Sequence, residues 1–443
     1  MASVWRLHGD GRTIEPDAVV RPNERLQMPQ MLGLGAQHVL AMFGATVTVP
    51  LLTGFPVTAT LFWSGIGTIL FNLFTKNRVP SYTGSSFAFI APVTAAQAHG
   101  GVPAALGGIL VTGVVLFLIG LLVDRYGFRL IEFLLPPVVT GSIVALIGLN
   151  LVLPAAKPQF FAQPGIAMVT LVAILIIGVA VKNFLGRLSV FLGVVVGYVF
   201  AAILGDVNWD KVNAADWVGF PDFTTPVFNG KAILLVVPAV VLVLLAENAG
   251  HVKAVGTMTE QDLDPLIGRS FMGDGVATTL AGLFGGSGTT TYAENIGVMG
   301  YTRVYSTLAY LIAGVAAILL GLLPKFGEVI SAIPPGVLGG AVTVLFGMIA
   351  VLGARIWVEA NVNFRDPVNL VTAAVALVVG TGDYTLNWGD YAFGGITMGT
   401  LAAVVGYQVL RYFQPEIPPP RTAIGDSLAE PLAATPDPRR SAP

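Results

Sequence analysis

Of the 443 residues, 54% are hydrophobic and only 11% are charged, against about 25% charged in a soluble globular domain. A chain this long with so little charge cannot clothe a water-facing surface, so its outer solvent must be lipid. The formal net charge of −2 offers no basic face for nucleic acid, and the absence of cysteine excludes disulfides, thiolate metal sites and cysteine nucleophiles.

Residues 1–30 carry Arg6, Arg12, Arg21 and Arg25 among acids and prolines, with no apolar run before about Met31. They read as a soluble cytoplasmic tail and not as a cleavable signal. A helix that crosses a bilayer needs roughly 20 mostly apolar residues. By that rule spans are predicted around residues 42, 66, 90, 114, 144, 174, 197, 243, 277, 295, 314, 345, 374 and 400, those near 90, 277 and 295 being short or rich in Gly, Ser and Thr. The longest hydrophilic interruption, about Gly205 to Lys231, carries Asp206, Asp210, Asp216 and Asp222. It divides the chain into halves of seven spans, and an odd number turns the second half upside down, an inverted repeat. Residues 411–443 form a cytoplasmic tail, predicted to be disordered from Pro415 by its Pro, Ala and charge.

Cytoplasmic loops of membrane proteins hold the excess of Lys and Arg. With the N-terminus inside and fourteen spans, 19 of the 23 basic residues fall inside, and only Lys157, Lys211, Lys231 and Lys325 fall outside. Dropping one weak span inverts everything after it and spoils the split. Both termini are therefore predicted cytoplasmic, in a multi-pass protein of the inner membrane.

Two apolar runs are broken by small polar residues: Ser81-Tyr82-Thr83-Gly84-Ser85-Ser86-Phe87-Ala88-Phe89 in the third span, and Gly285 to Asn295, containing Thr289-Thr290-Thr291-Tyr292-Ala293-Glu294, in the tenth. Third and tenth are equivalent places in two halves of seven. Backbone that is not helical at membrane depth is tolerated only beside protein or a water cavity. Each segment reads as an extended stretch followed by a half-helix whose free N–H groups face a common cavity. Taken singly, each also fits a close-packing site between helices.

Two acids lie outside the loops. Glu247 ends the apolar run from Ile233, and Glu294 sits in the tenth span. A charge at the bilayer centre costs about 3 kcal/mol on insertion scales, so such groups are functional candidates. His251 follows Glu247 by four residues and shares its helix face, a pair that can pass a proton or, alternatively, sit solvated at a helix end. Gln37-His38 interrupts the first span, where His38 fits either a site or a hydrogen-bonded core. His8 and His99 read as loop residues, and Asp274 is expected to face the cytoplasm. No Walker loop and no nucleophile–base arrangement is present, so neither ATP-driven pumping nor an enzyme is supported.

Glu294-Asn295-Ile296-Gly297-Val298-Met299-Gly300-Tyr301-Thr302-Arg303 resembles the signature of the nucleobase–ascorbate transporters: acid or amide, Asn, any, Gly, four of any type, Thr, Arg. Gln37-His38, Gly84-Ser85-Ser86-Phe87-Ala88-Phe89 and Ala246-Glu247-Asn248-Ala249-Gly250-His251 fall in that family's order over about residues 30–410. The resemblance is greatest to its bacterial uracil carriers. It implies an all-α polytopic membrane protein of about fourteen spans in two inverted repeats of seven, with short strands breaking the third and tenth. Residues 31–410 then form the transporter. Its core domain is spans 1–4 and 8–11 (about 31–125 and 232–324), and its gate domain is spans 5–7 and 12–14 (about 130–205 and 335–410).

The same resemblance implies substrate binding by Phe87, Glu247, Tyr292, Ala293 and Glu294, proton coupling by Glu247 and His251, and support from Gln37, His38, Ser85, Ser86 and Asn295. It implies a homodimer, no metal, and no cofactor beyond the coupling proton. Ala293 departs from the glycine of the uracil carriers and puts a methyl beside the pocket. An acid at the signature's first position goes with pyrimidines, so uracil is the expected substrate, with a xanthine or purine permease as the alternative. An anion exchanger of the same fold is disfavoured, because Glu247 and Glu294 stand where an anion would want a cation.

Overall fold

The computed structural model describes residues 5–15, 18–182, 186, 188–389 and 391–414. The predicted disorder from Pro415, and Arg187, Arg421, Arg439 and Arg440 of the charge count, lie outside the described residues.

Apolar runs become helices, and Pro and Gly punctuate them. Helix α1 (Met28–Thr53) stops at Gly54, a left-handed residue whose N–H returns to the Pro50 carbonyl. Helix α2 (Val57–Phe74) follows Pro56. Strand β1 (Thr83–Ser85), a single tight turn at Phe87–Phe89 and the short α3 (Ile90–Gln97) come next. Then follow α4 (Gly101–Tyr126), α5 (Pro137–Asn150, continued as irregular helix to Ala162), α6 (Pro164–Ala180) and α7 (Ser189–Leu204).

Asn229 caps α8 (Gly230–Thr259) by accepting from the Lys231 and Ala232 amides. After α9 (Ile267–Leu283) come strand β2 (Thr289–Thr291) and α10 (Ala293–Thr302). The chain ends with α11 (Thr307–Gly321), α12 (Pro335–Glu359), α13 (Pro367–Thr381) and α14 (Gly395–Phe413). Every span centre read from the sequence lies inside one of these helices. Six helical stretches among the described residues are long and apolar enough to cross a membrane: α1, α2, α4, α5 with its continuation, α8 and α12. A seventh is reached if α11 and Pro324–Ser331, bent by 86°, count as one. The molecule is a multi-pass, predominantly helical membrane protein.

The two halves interlock. Helix α4 lies against α9, α2 against α11 and α5 against α12. Glycines make these contacts possible, because without a side chain two backbones approach closely. A Cβ on Gly268, Gly275 or Gly282 of α9 would stand 2.4 to 2.5 Å from the backbone nitrogens of Asp124, Phe117 and Leu110 on α4. These glycines repeat every seven residues, so they form one stripe on a helix of 3.6 residues per turn.

Strands β1 and β2 pair antiparallel, Thr83 with Thr291, Gly84 with Thr290 and Ser85 with Thr289, and all six residues are buried. The ladder extends by Ser86 N–H to the Gly288 carbonyl (3.0 Å) and Tyr292 N–H to the Tyr82 carbonyl (3.1 Å). A hydroxyl clip pins each strand to the preceding helix. Thr68 of α2 accepts from the Thr83 amide at 3.0 Å, and Thr278 of α9 accepts from the Thr289 amide at 3.1 Å. The N-terminal segment is folded: Arg6–Leu7 pairs in parallel with Glu24–Arg25, and Val20 bridges to Val304.

Candidate functional site

The paired strands lead directly into two short helices, one starting at Phe87 and the other at Ala293. On the first side Ser86 is the cap, its hydroxyl accepting from the Ala88 amide at 3.2 Å. On the second side Tyr292 precedes α10 without a side-chain cap, so the first amide of α10, at Ala293, keeps its donor capacity for a ligand, while the Glu294 amide is met by its own carboxyl group. Glu294 lies in the first turn, and Ala293 and Glu294 are only partly buried.

Helix α8 supplies the facing wall. Ser86 donates its hydroxyl to Glu247 Oε2 at 3.4 Å, and Asp274 and Glu294 lie nearby. One turn on, His251 Nδ1 lies 2.9 Å from Thr291 Oγ1, so its hydrogen bond runs to strand β2 and not to Glu247. Phe87, 8% exposed, meets Phe346 of α12 edge to face, with ring centres 5.6 Å apart.

Tyr292 points its ring inward. Its hydroxyl donates to the Ser85 carbonyl at 2.9 Å and lies 2.9 Å from Thr46 Oγ1. Gly84 is needed there, since a Cβ would stand 2.7 Å from that hydroxyl. Ser85 also donates to the Thr46 carbonyl, at 3.4 Å. Tyr292 therefore offers the site its place at the helix start, while its side chain locks the strands to α1.

The supporting residues stand behind α10. His38 is buried and its ring packs against Tyr310, tilted by 34°, with ring centres 4.2 Å apart. Asn295 Nδ2 lies 3.1 Å from His38 Nδ1 and donates to the His38 carbonyl at 3.0 Å. The Tyr310 hydroxyl closes the cluster on the Asn295 carbonyl at 3.3 Å. The neighbouring Gln37 is half-buried, and its Oε1 has no hydrogen-bond partner.

Asp274 corrects the sequence reading. It does not face the cytoplasm: it is fully buried, accepting from Thr289 Oγ1 at 2.8 Å and from Asn248 Nδ2 at 3.4 Å. It joins α9, β2 and the residue beside Glu247. Its flanking Gly273 and Gly275 and its helix of Gly, Ser and Thr were the available signal that polar partners surround it. Phe346, in an unbroken apolar run, gave none. Among the described residues no group of three or more His, Asp or Glu is placed to hold a metal ion.

Residues 29–388 match the sequence model Xan_ur_permease, described as Permease family. The chain belongs to the nucleobase–ascorbate transporter family. Its relatives in that family include RutG, a permease of Escherichia coli (strain K12), 44% identical over 431 residues, covering 94% of this chain and 97% of that one. The uracil permease of Bacillus caldolyticus is 40% identical over 399 residues, 86% of this chain and 92% of that one. The uracil permease of Escherichia coli (strain K12) is 36% identical over 394 residues, 86% and 91%. Like other members of the family, this chain is a transporter and not an enzyme. Among solved structures SLC26A9 superposes with a TM-score of 0.65 at 14% identity, covering 86% of this chain and 64% of its own. The transmembrane domain of the cyanobacterial bicarbonate transporter BicA gives 0.60 at 16% identity, 85% and 97%. At that identity the likeness is one of fold.

Proposed function

We propose that this transporter imports uracil by proton symport across the inner membrane. The observation that carries the reading is the convergence of two helix N-termini on Glu247 and Glu294, with Ser86 tying the first half-helix to Glu247. A pyrimidine edge presents two N–H donors and two carbonyl acceptors. Carboxyl oxygens accept from the former, and free helix amides donate to the latter. The uracil permeases among its relatives support that substrate.

Fourteen spans in two inverted repeats fit the hydroxyl clips at Thr68–Thr83 and Thr278–Thr289, which recur at the same place in each half. The interlocking of α1–α4 with α8–α11 and of α5–α7 with α12–α14 fits a core domain rocking against a gate domain, with both termini cytoplasmic. His251 and Glu247 carry the proton, and the gate's Phe346 closes over Phe87. An anion exchanger would want a fixed cation where two carboxyls stand.

The test is uptake of labelled uracil into proteoliposomes with an imposed pH gradient, challenged by thymine, xanthine, hypoxanthine and bicarbonate. Uracil should accumulate against its gradient and compete best. Stronger competition by xanthine, or accumulation that ignores the pH gradient, would overturn the reading.

A further inference from the structure

The N-terminal segment is polar enough to read as a tail, yet it is built onto one corner of the molecule, the Arg303–Thr307 junction where α10 ends and α11 begins. Val20 N–H donates to the Arg303 carbonyl at 2.9 Å, Tyr305 N–H to the Val20 carbonyl at 2.7 Å, and Thr307 N–H to the Pro22 carbonyl at 3.1 Å. Side chains add to the backbone contacts. Thr307 Oγ1 donates to the Pro22 carbonyl at 3.0 Å and receives Trp5 Nε1 at 2.8 Å, while Arg303 donates to the Glu15 carbonyl at 3.1 Å. Beneath them Val20, Leu26, Met31, Val304 and Ala309 form a small buried cluster of their own.

Helix α10 has ten residues, about 15 Å of helix. A helix that short is marginal alone, and its direction is set by what holds its ends. One end is held by β2 in its ladder with β1. The other finishes at Arg303 in the left-handed conformation (φ 55°), and the carbonyl leaving that corner is the one that Val20 holds.

We infer that residues 5–15 and 18–26 are a brace that positions the substrate half-helix: by fixing the far end of α10 they fix the placement of Ala293 and Glu294 at its start. Val20, Trp5 and Thr307 are positioning residues in this sense, since their hydrogen bonds lie at the far end of α10 and not at its start. The inference rests on the reading that α10 begins at the substrate.

The test compares Val20→Pro, which removes the amide donated to Arg303, and Trp5→Phe, which removes the indole N–H donated to Thr307, in full-length protein. Amide hydrogen exchange at 297–302 should quicken by about tenfold in Val20→Pro and less in Trp5→Phe, with β1 and β2 unchanged. The KM for uracil should rise about fivefold, with Vmax per molecule within about twofold of wild type. If Val20→Pro does not fold, Trp5→Phe decides by the same measurements. Unchanged exchange at 297–302, or quickened exchange with an unaltered KM, overturns the inference. The exchange readout needs no substrate. A failed brace therefore shows there, whereas a failed substrate reading shows as Glu294→Gln binding uracil like wild type.

Discussion

Ser86 and Glu247, 161 residues apart in sequence, are joined by a hydrogen bond of 3.4 Å from the serine hydroxyl to Oε2. The bond ties the cap of one half-helix to the acid of the facing helix. Through the β1–β2 ladder it also registers Glu247 against the start of α10. The geometry of the site is thus fixed by the strands and by α8 together.

Glu294→Gln should lose uracil binding. The amide is a weaker acceptor, and its NH₂ opposes a ring N–H. Loss of a hydrogen bond to a charged group costs about 1.5–3 kcal/mol, roughly 10- to 100-fold in Kd. Equilibrium binding in detergent measures this, and wild-type affinity in the variant would remove Glu294 from the site.

His251→Ala should uncouple accumulation more than it weakens binding, whereas Glu247→Ala should damage both. Thr291→Val, which removes the histidine's partner at 2.9 Å, separates positioning from proton transfer. It should slow transport yet retain the response to a pH gradient. If His251→Ala still concentrates uracil in response to that gradient as wild type does, the histidine is structural and the proton travels elsewhere.

Asp274→Ala would leave the buried Asn248 amide without its acceptor and strip the Thr289 hydroxyl of its carboxyl partner. Each buried polar group left unsatisfied costs about 1–3 kcal/mol. The expected result is a lower thermal midpoint in detergent together with loss of transport, since the same carboxylate holds β2 and the neighbour of Glu247. An unchanged midpoint with transport intact would make the acid dispensable.

The chain has no cysteine, so single cysteines report topology cleanly. An impermeant maleimide added outside should label Asp210→Cys and leave Arg365→Cys unlabelled. Labelling of position 365 from outside would sink the orientation.

The brace should loosen in acid. Burial pushes the Glu24 carboxyl up, but the Arg21 N–H and the His8 imidazole, 2.8 Å away, outweigh it and hold Glu24 below its usual value. Asp10 is likewise held low by the Thr13 and Arg12 amides. A carboxyl held low by folding favours the folded state above its unfolded pKa and loses that contribution as pH falls through the folded value. Protection against exchange in residues 6–15 and 18–26, measured relative to the intrinsic rate at each pH, should therefore fall below about pH 4 and recover above it, with Glu24→Gln flattening the response.

Much of this architecture was legible in the residues. Apolar runs of membrane-crossing length located the helices, and the Gly/Ser/Thr interruptions marked where β1 and β2 leave the helical path. What stayed hidden depends on partners distant in sequence. Asp274 looked like a helix-end acid, because nothing local reveals that Thr289 and Asn248 reach it. Four residues of spacing suggested that His251 meets Glu247, yet both side chains turn to the strand side of α8, toward Thr291 and Ser86. The fold of the N-terminal segment rests on scattered apolar residues such as Val20 and Leu26, whose partners Val304 and Ala309 lie near the other end of the chain.

The pairing of Thr83–Ser85 with Thr289–Thr291 also constrains how the protein is made. The first strand leaves the ribosome 206 residues (289 − 83) before its partner, about 10–40 s at synthesis rates of roughly 5–20 residues per second. Through that interval its amides and carbonyls have no ladder, and hydrocarbon offers them nothing to bond. The third segment must therefore wait in water or in the insertion machinery, and it can settle at depth only after the tenth arrives. A nascent chain stalled between the two should leave residues 83–86 open to water-borne labels that the finished protein excludes.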